Sequence, residues 1–185
     1  MMALTPFSIW WSVTRKVGFA AYSGTGLSCG FVWLRFRRKF RRGTGIAGLA
    51  LLLAMIEFVL ALDMVFEWRL ALHSFCGNLF MKYNLYDRRH PIQAMLLLAL
   101  GLALVFAASR VFRRYHGRTG VLLAVSGVGM SITLWLVEII SLHEIDAALY
   151  HQVSDVMVIA LLWVLACGLT LLGAGIEARR AAGES

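Results

Sequence analysis

Residues 57–73 read EFVLALDMVFEWRLALH, and the interpretation of the whole chain depends on this stretch. It is the second half of an apolar segment long enough to cross a bilayer as a helix. Its polar side chains, in order, are Glu57 near the helix centre, Asp63, Glu67, Arg69 and His73. The other strongly apolar segments carry no charge at their centres. The stretch therefore predicts a membrane-spanning helix that carries an acid into the hydrocarbon.

The composition is that of an integral membrane protein. Hydrophobic residues make up 60% of the 185, and the mean hydropathy is +0.75, well outside the range of soluble domains. Each strongly apolar segment is close to the length that a helix needs to cross about 30 Å of hydrocarbon. We expect an all-α, integral membrane four-helix bundle with spans at 46–66, 92–109, 121–140 and 156–176.

The segment before these spans, residues 1–45, is apolar and then basic. Residues 17–34 are diluted by Gly, Ser and Thr, so an interfacial or re-entrant segment is favoured over a fifth span. A mis-assigned start codon is a further alternative. The run from Arg35 to Arg42 (RFRRKFRR) holds six Lys or Arg and is expected to meet anionic headgroups. The predicted organisation is then a four-span domain at 46–178 and a cytoplasmic tail at 179–185.

The basic residues predict the orientation of the chain. Fourteen Lys or Arg flank one side of the four predicted spans, and four flank the other. By the positive-inside rule, the basic run and the C-terminus are cytoplasmic, most simply in a prokaryotic cell membrane. Although the net charge is +8, no basic folded module remains outside the spans, so we expect no nucleic-acid partner.

The two connections predicted to lie outside resemble each other. Ala71-Leu72-His73 and Ser141-Leu142-His143 end the first and third spans, and an aromatic residue follows seven positions after each histidine. A duplication of helical hairpins would place His73 and His143 at equal depth about a pseudo-twofold axis.

Glu57 is the candidate intramembrane site, about 16 Å from the cytoplasmic boundary at helical rise. One hypothesis is a carboxylic acid that carries a proton or binds a ligand. The other is a protonated side chain that only bonds a neighbouring helix through Ser126, Ser131 or Thr133. Asp63 and Glu67 lie on a different face of the helix, where we expect water and arginine partners.

A second group of polar residues is predicted at the outer rim of the bundle. Ion pairs and helix caps, a metal site based on His73 and His143, and a haem or quinol-facing redox site are the open interpretations. The spacing of the histidines matches no metal-binding motif, and no cofactor is favoured. The residues are Asp63, Glu67, Arg69, His73, Arg88, Arg89, Glu138, His143, Glu144, Asp146, His151 and Asp155.

Arg88 and Arg89 break the charge rule on that side, and one hypothesis is that they pair with these acids or bind an anionic group, beside the plain alternative of arginines at the outer headgroups. The three cysteines have no CxxC spacing, and no catalytic fingerprint is present. The sequence favours a non-catalytic structural or accessory subunit that self-associates or packs with a membrane-protein partner. A redox or proton-handling protein and a small oligomeric channel or transporter remain as alternatives.

Overall fold

The computed structural model describes residues 6–40, 46–84, 88–140, 143–153 and 156–183. Side chains are described within these ranges except at 6–12, 36–40, 46–47, 143–144, 146 and 153. The elements in chain order are α1 (Pro6–Phe40), α2 (Ile46–Phe66), α3 (Trp68–Lys82), α4 (Arg89–Tyr115), α5 (Thr119–Ile140), α6 (His143–Leu149), β1 (Gln152–Val153), β2 (Val156–Met157) and α7 (Val158–Gly183).

The chain is a multi-pass helical membrane protein by helix length and hydropathy. Within the described residues, five helices are long and apolar enough to cross a bilayer: α1, α2, α4, α5 and α7. The all-α prediction is thus confirmed, with β1 and β2 forming only a two-residue antiparallel ladder. The interfacial or re-entrant placement of residues 17–34 is wrong, because they lie in the middle of a 35-residue helix. Glycine, serine and threonine lower its hydropathy but leave its backbone hydrogen bonds intact.

Four helices form the core of the bundle, but they are not the four that the sequence predicted. α1 packs along α2 and α7, α5 packs along α7, and α2 meets α5, so these four enclose a common interior. In the described part of the chain, α4 packs mainly against α5 and contributes no buried residue. The large apolar side chains of α4 are exposed and suit contact with lipid, whereas α1 carries the small and polar side chains that suit an interior.

Small residues bring α5 and α7 into close contact. A Cβ placed on Gly127 would lie 2.3 Å from Thr170 Oγ1, and one on Gly173 would lie 2.3 Å from the backbone nitrogen of Ala124. The small residues Gly127 and Ser131 of α5 are both buried, so this face of the helix packs within the protein. Such contacts let helix backbones approach closely in a membrane.

The structure does not support the predicted pseudo-twofold repeat of hairpins. Among the described residues, α5 and α7 pack along each other, while α4 packs on α5 instead of returning along α2. The connections differ as well, since the first contains the 15-residue α3 and the second contains α6 followed by the β1–β2 ladder. The sequence similarity around His73 and His143 is thus a local resemblance between two segments.

Candidate functional site

A buried guanidinium lies between two carboxylates at one end of the bundle, which we call the Arg69 end. Arg69 Nη1 lies 2.9 Å from Asp63 Oδ2, and Arg69 Nε lies 3.0 Å from Glu138 Oε2. The three side chains are 1%, 1% and 2% exposed. The solvated position expected for Asp63 is therefore wrong, because its carboxylate is buried against the guanidinium of Arg69. Because these ion pairs are buried, water and salt screen them much less than they screen ion pairs on a protein surface.

The junction between α2 and α3 places Arg69 in the bundle. Glu67 ends α2 in the left-handed conformation, with φ 57° and ψ 34°, and α3 begins at the next residue. Asp63 Oδ1 then accepts the backbone N–H of Arg69 at 2.9 Å while Oδ2 accepts its guanidinium. The Arg69 guanidinium also lies over Trp163 of α7, 5.4 Å from the ring centroid. The Asp63 carboxylate thus holds both the backbone of the α2–α3 turn and the side chain of Arg69 in position.

Arg15 of α1 contacts the end of α2 at the Arg69 end. Its guanidinium donates to Met64 O at 2.9 and 3.1 Å and to Val65 O at 3.3 Å, and it forms an ion pair with Glu67. These carbonyls are among those that the end of α2 leaves without helical partners. The arginine partner predicted for Glu67 is therefore present, but it comes from the N-terminal helix.

Glu57 lies in the same bundle interior and is 0% exposed. The thiol of Cys167 lies 3.8 Å from Glu57 Oε2, and the Thr170 hydroxyl lies beside the same carboxyl. Glu57 Oε1 has no hydrogen-bond partner among the described residues. The side chains that contact the Glu57 carboxyl come from α7 instead of from α5, as the sequence had suggested. Thr133 of α5 donates its hydroxyl to Gly129 O of its own helix.

Tyr22 of α1 joins the two groups that the sequence analysis separated. Its side chain is 1% exposed and lies close enough to both Glu57 and Glu138 to interact with them electrostatically. Ser131 is beside it, and its ring centroid lies 6.3 Å from that of Trp163. We refer to this set as the polar column: Glu57, Cys167, Tyr22, Ser131, Glu138, Arg69 and Asp63.

The two ends of the polar column differ. At the Arg69 end, the half-buried Tyr150 donates its hydroxyl to Glu138 Oε2 at 3.3 Å. Beyond Glu57, a cavity of about 30 Å³ has apolar walls that include Leu53, Val121 and Ala124. Glu177 also lines this cavity; it lies 3.9 Å from Arg118, and its Oε1 has no hydrogen-bond partner within the described part of the chain. The Arg69 end of the column thus has a half-buried hydroxyl next to it, whereas the cavity on the other side of Glu57 has mostly apolar walls.

Of the histidines in the predicted rim cluster, only His73 and His151 have described side chains, and these two do not come together as metal ligands. His73 Nδ1 lies 3.1 Å from Ile139 O, and His151 is exposed. The side chains of His143, Glu144 and Asp146, and the whole of Asp155, lie outside the described residues. Among the side chains that are described, no three of His, Cys, Asp and Glu are grouped to hold a metal ion.

Sequence reasoning missed the contributions of α1 and α7 to the site. Tyr22, Thr25 and Cys29 recur at spacings of three and four, which puts them on one face of a helix, and all three are buried. Cys167 and Thr170 form a similar pair on α7. This periodicity was the available signal that α1 is an interior helix with a polar stripe.

Comparison with protein-family models, curated proteins and solved structures finds no match. The geometry of the polar column is therefore the basis of the functional proposal. Its four titratable charged side chains come from α2, α3 and α5, and its uncharged polar side chains come from α1, α5 and α7. An arrangement of this kind brings three carboxyls, each able to hold a proton, into one enclosed interior with hydroxyl and thiol groups near them.

Proposed function

We propose that this protein handles protons within the membrane, with Glu57, Asp63 and Glu138 as the proton-holding groups around Arg69. The observation that carries the proposal is the excess of buried carboxyls over buried cations in one enclosed bundle. Intramembrane acids of this kind characteristically mark proton relays and ion pathways. In this proposal Tyr22 and Ser131 relay protons between Glu57 and Glu138.

Charge balance supports this proposal. With Glu57, Asp63, Glu138 and Arg69 all ionised, the column would carry a formal charge of minus two. A carboxylate without a compensating cation is strongly disfavoured in a medium of low polarity. Neutrality of the column therefore requires bound protons, and their number can change only if the column exchanges protons with water.

The difference between the two ends supports exchange at the Arg69 end. Tyr150 is half-buried and contacts Glu138, so it offers a hydroxyl between the column and the surface. At the other end, the small cavity that Leu53, Val121 and Glu177 line does not include Glu57, and its wall is mostly apolar. Loading and release of protons at the Arg69 end is thus the simplest cycle, and transfer to Glu177 would need water in that cavity.

We further propose that the Arg69 end faces outward and that the C-terminus is cytoplasmic, in a prokaryotic cell membrane. Because Arg15 contacts the end of α2 at the Arg69 end, the start of α1 lies there too. Placing Arg15 and Lys16 on that side still leaves twelve of the eighteen basic residues on the other. The positive-inside rule therefore favours the same orientation with five spans as with four.

Proton uptake by reconstituted protein tests this function. Liposomes that contain the full-length protein and an enclosed pH indicator would receive a small external acid pulse. We expect Glu57→Gln to reduce the protein-dependent pH change several-fold. Glu67→Gln is the matched control, because it makes the same chemical change at the half-exposed rim, outside the column. If wild-type liposomes respond like empty ones, or if Glu57→Gln responds like wild type, the proposal is wrong.

An accessory role in a membrane complex is a second candidate, and α4 favours it. No residue of its apolar stretch is buried inside the protein, and Leu98, Leu102 and Val105 are 65–69% exposed. A photo-crosslinking amino acid at Val105 would capture a second copy or another membrane protein in cells, whereas one at Val164 of α7 serves as a lipid-facing control. Equal capture at both positions, or none at Val105, would contradict this role.

An oligomeric channel lined by Glu57 is not favoured. A residue that lines a conduit between subunits must be exposed on the surface of each subunit before assembly. Glu57 is instead enclosed by the helices of its own chain, with Cys167 and Thr170 beside it. The polar column therefore lies inside a single bundle and not at a surface where subunits could meet.

A further inference from the structure

A separate cavity opens between α3, α4 and α5 at the Arg69 end. Its volume is about 380 Å³, which is within the range of pockets that bind small molecules. Most of its wall is apolar, and the residues that carry this argument are Leu79, Phe80, Leu96, Ile139 and Ile140. This cavity does not include residues of the polar column.

Two polar side chains of the cavity, His73 of α3 and Gln93 of α4, contact backbone carbonyls at the end of α5. Gln93 donates to Ile140 O at 2.8 Å, and His73 Nδ1 lies 3.1 Å from Ile139 O. These contacts use carbonyls at the end of α5 and hold both side chains in place. Arg89 lines the same cavity, and none of the described lining residues is acidic. Among the described lining residues, Arg89 thus supplies a basic group at one end of the cavity.

The cavity spans the depth at which a bilayer changes from headgroups to hydrocarbon. Arg89 is the first residue of α4, and the apolar part of that helix follows from Ile92. Leu96, in the wall, lies about 10 Å further along the helix axis at 1.5 Å per residue. A basic group at headgroup depth above an apolar slot is complementary to an anionic amphiphile.

We propose that this cavity binds an anionic phospholipid, with its phosphate at Arg89 and an acyl chain against Phe80, Leu96 and Ile139. This goes beyond the proton-handling proposal and does not depend on it. It also gives Arg89 a role that accounts for a basic residue on the predicted outer side. Arg88, by contrast, is exposed and does not line the cavity.

Lipid titration of the full-length protein in detergent tests the site. Native mass spectrometry would follow binding of phosphatidylglycerol and of phosphatidylcholine with identical acyl chains. We expect phosphatidylglycerol to bind about ten-fold more tightly, because a charge-assisted hydrogen bond is worth roughly one power of ten. Arg89→Gln should remove this preference, and Arg88→Gln should keep it.

Two further arms distinguish a lipid site from a simple anion site. Gly77→Leu should fill the cavity and weaken binding of both lipids, whereas Gly101→Leu, on α4 outside the cavity, should not. Inorganic phosphate at the same concentration should leave the thermal stability unchanged. Equal binding of the two lipids by wild type, an unchanged preference in Arg89→Gln, unchanged binding in Gly77→Leu, or stabilisation by phosphate alone would overturn the proposal.

Discussion

Arg69 and Glu138 form a buried ion pair that joins α3 to α5, with Nε 3.0 Å from Oε2 and both side chains almost inaccessible. Because Asp63 holds the same guanidinium, removal of Arg69 would leave two carboxylates without their cation. We predict that Arg69→Leu lowers the free energy of unfolding by about 3–5 kcal/mol. Thermal unfolding in detergent measures the effect, with the exposed Arg88→Leu as the control.

The same cluster makes a second, opposite prediction. Replacing all three groups together, in Arg69→Leu with Asp63→Asn and Glu138→Gln, removes the unpaired charges that make the single variant costly. The triple variant should therefore be more stable than Arg69→Leu alone. A triple variant that is less stable than the single one would show that the carboxyls have other cationic partners.

Packing between α5 and α7 depends on Gly127. A Cβ at this position would lie 2.3 Å from Thr170 Oγ1 and 2.5 Å from Ala166 O, so one of the helices must shift. We expect Gly127→Ala to destabilise the protein by about 1–3 kcal/mol. Gly129→Ala, on the same helix with open space at its Cβ, should be neutral or slightly stabilising. Equal thermal unfolding temperatures for the two variants would contradict the close contact.

The placement of α1 predicts which side of the membrane holds each terminus. Five spans put the N-terminus and the C-terminus on opposite sides, whereas an interfacial N-terminal segment with four spans puts both on the same side. Cysteines added at the two termini should therefore differ in labelling by a membrane-impermeant maleimide, with Gly117→Cys as a marker for the C-terminal side. Labelling of both termini from one side would contradict the fifth span.

Much of the fold could be predicted from apolar segment length alone, because a bilayer requires every backbone polar group to be bonded internally. The α2, α4, α5 and α7 spans follow from this requirement. α1 could not be predicted in the same way, since its Gly, Ser and Thr residues lower the hydropathy while they suit a packed interior. Segment length also gives no information on which helices are neighbours, so the outer position of α4 was not predictable.

The candidate site was predicted in part. Glu57, Asp63 and Glu138 stand out in the sequence because acids are costly in apolar spans. Their connection does not stand out, since it depends on Tyr22 and Trp163 in helices that the sequence analysis treated as peripheral or featureless. The burial of Arg69 could not be predicted either. It depends on a left-handed backbone conformation at Glu67, a position where the sequence has no glycine to indicate such a turn.

Tyr22 is predicted to carry protons between Glu57 and Glu138. Tyr22→Phe removes only the hydroxyl, so we expect the free energy of unfolding to fall by about 1 kcal/mol. Hydrogen exchange at the Glu57 carboxyl should slow by about ten-fold or more, because a positioned proton-transfer group would be lost. Time-resolved infrared spectra after transfer to D₂O measure the rate. An unchanged rate would remove Tyr22 from the pathway.

The central claim is that the buried carboxyls bind protons and exchange them with water, and infrared spectroscopy of the reconstituted protein tests it most directly. We predict a carbonyl band of protonated carboxylic acids that shifts to lower frequency in D₂O, loses much of its intensity in Glu57→Gln and keeps its intensity in Glu67→Gln. Absence of this band in wild type, or a band that never shifts in D₂O, would contradict the account.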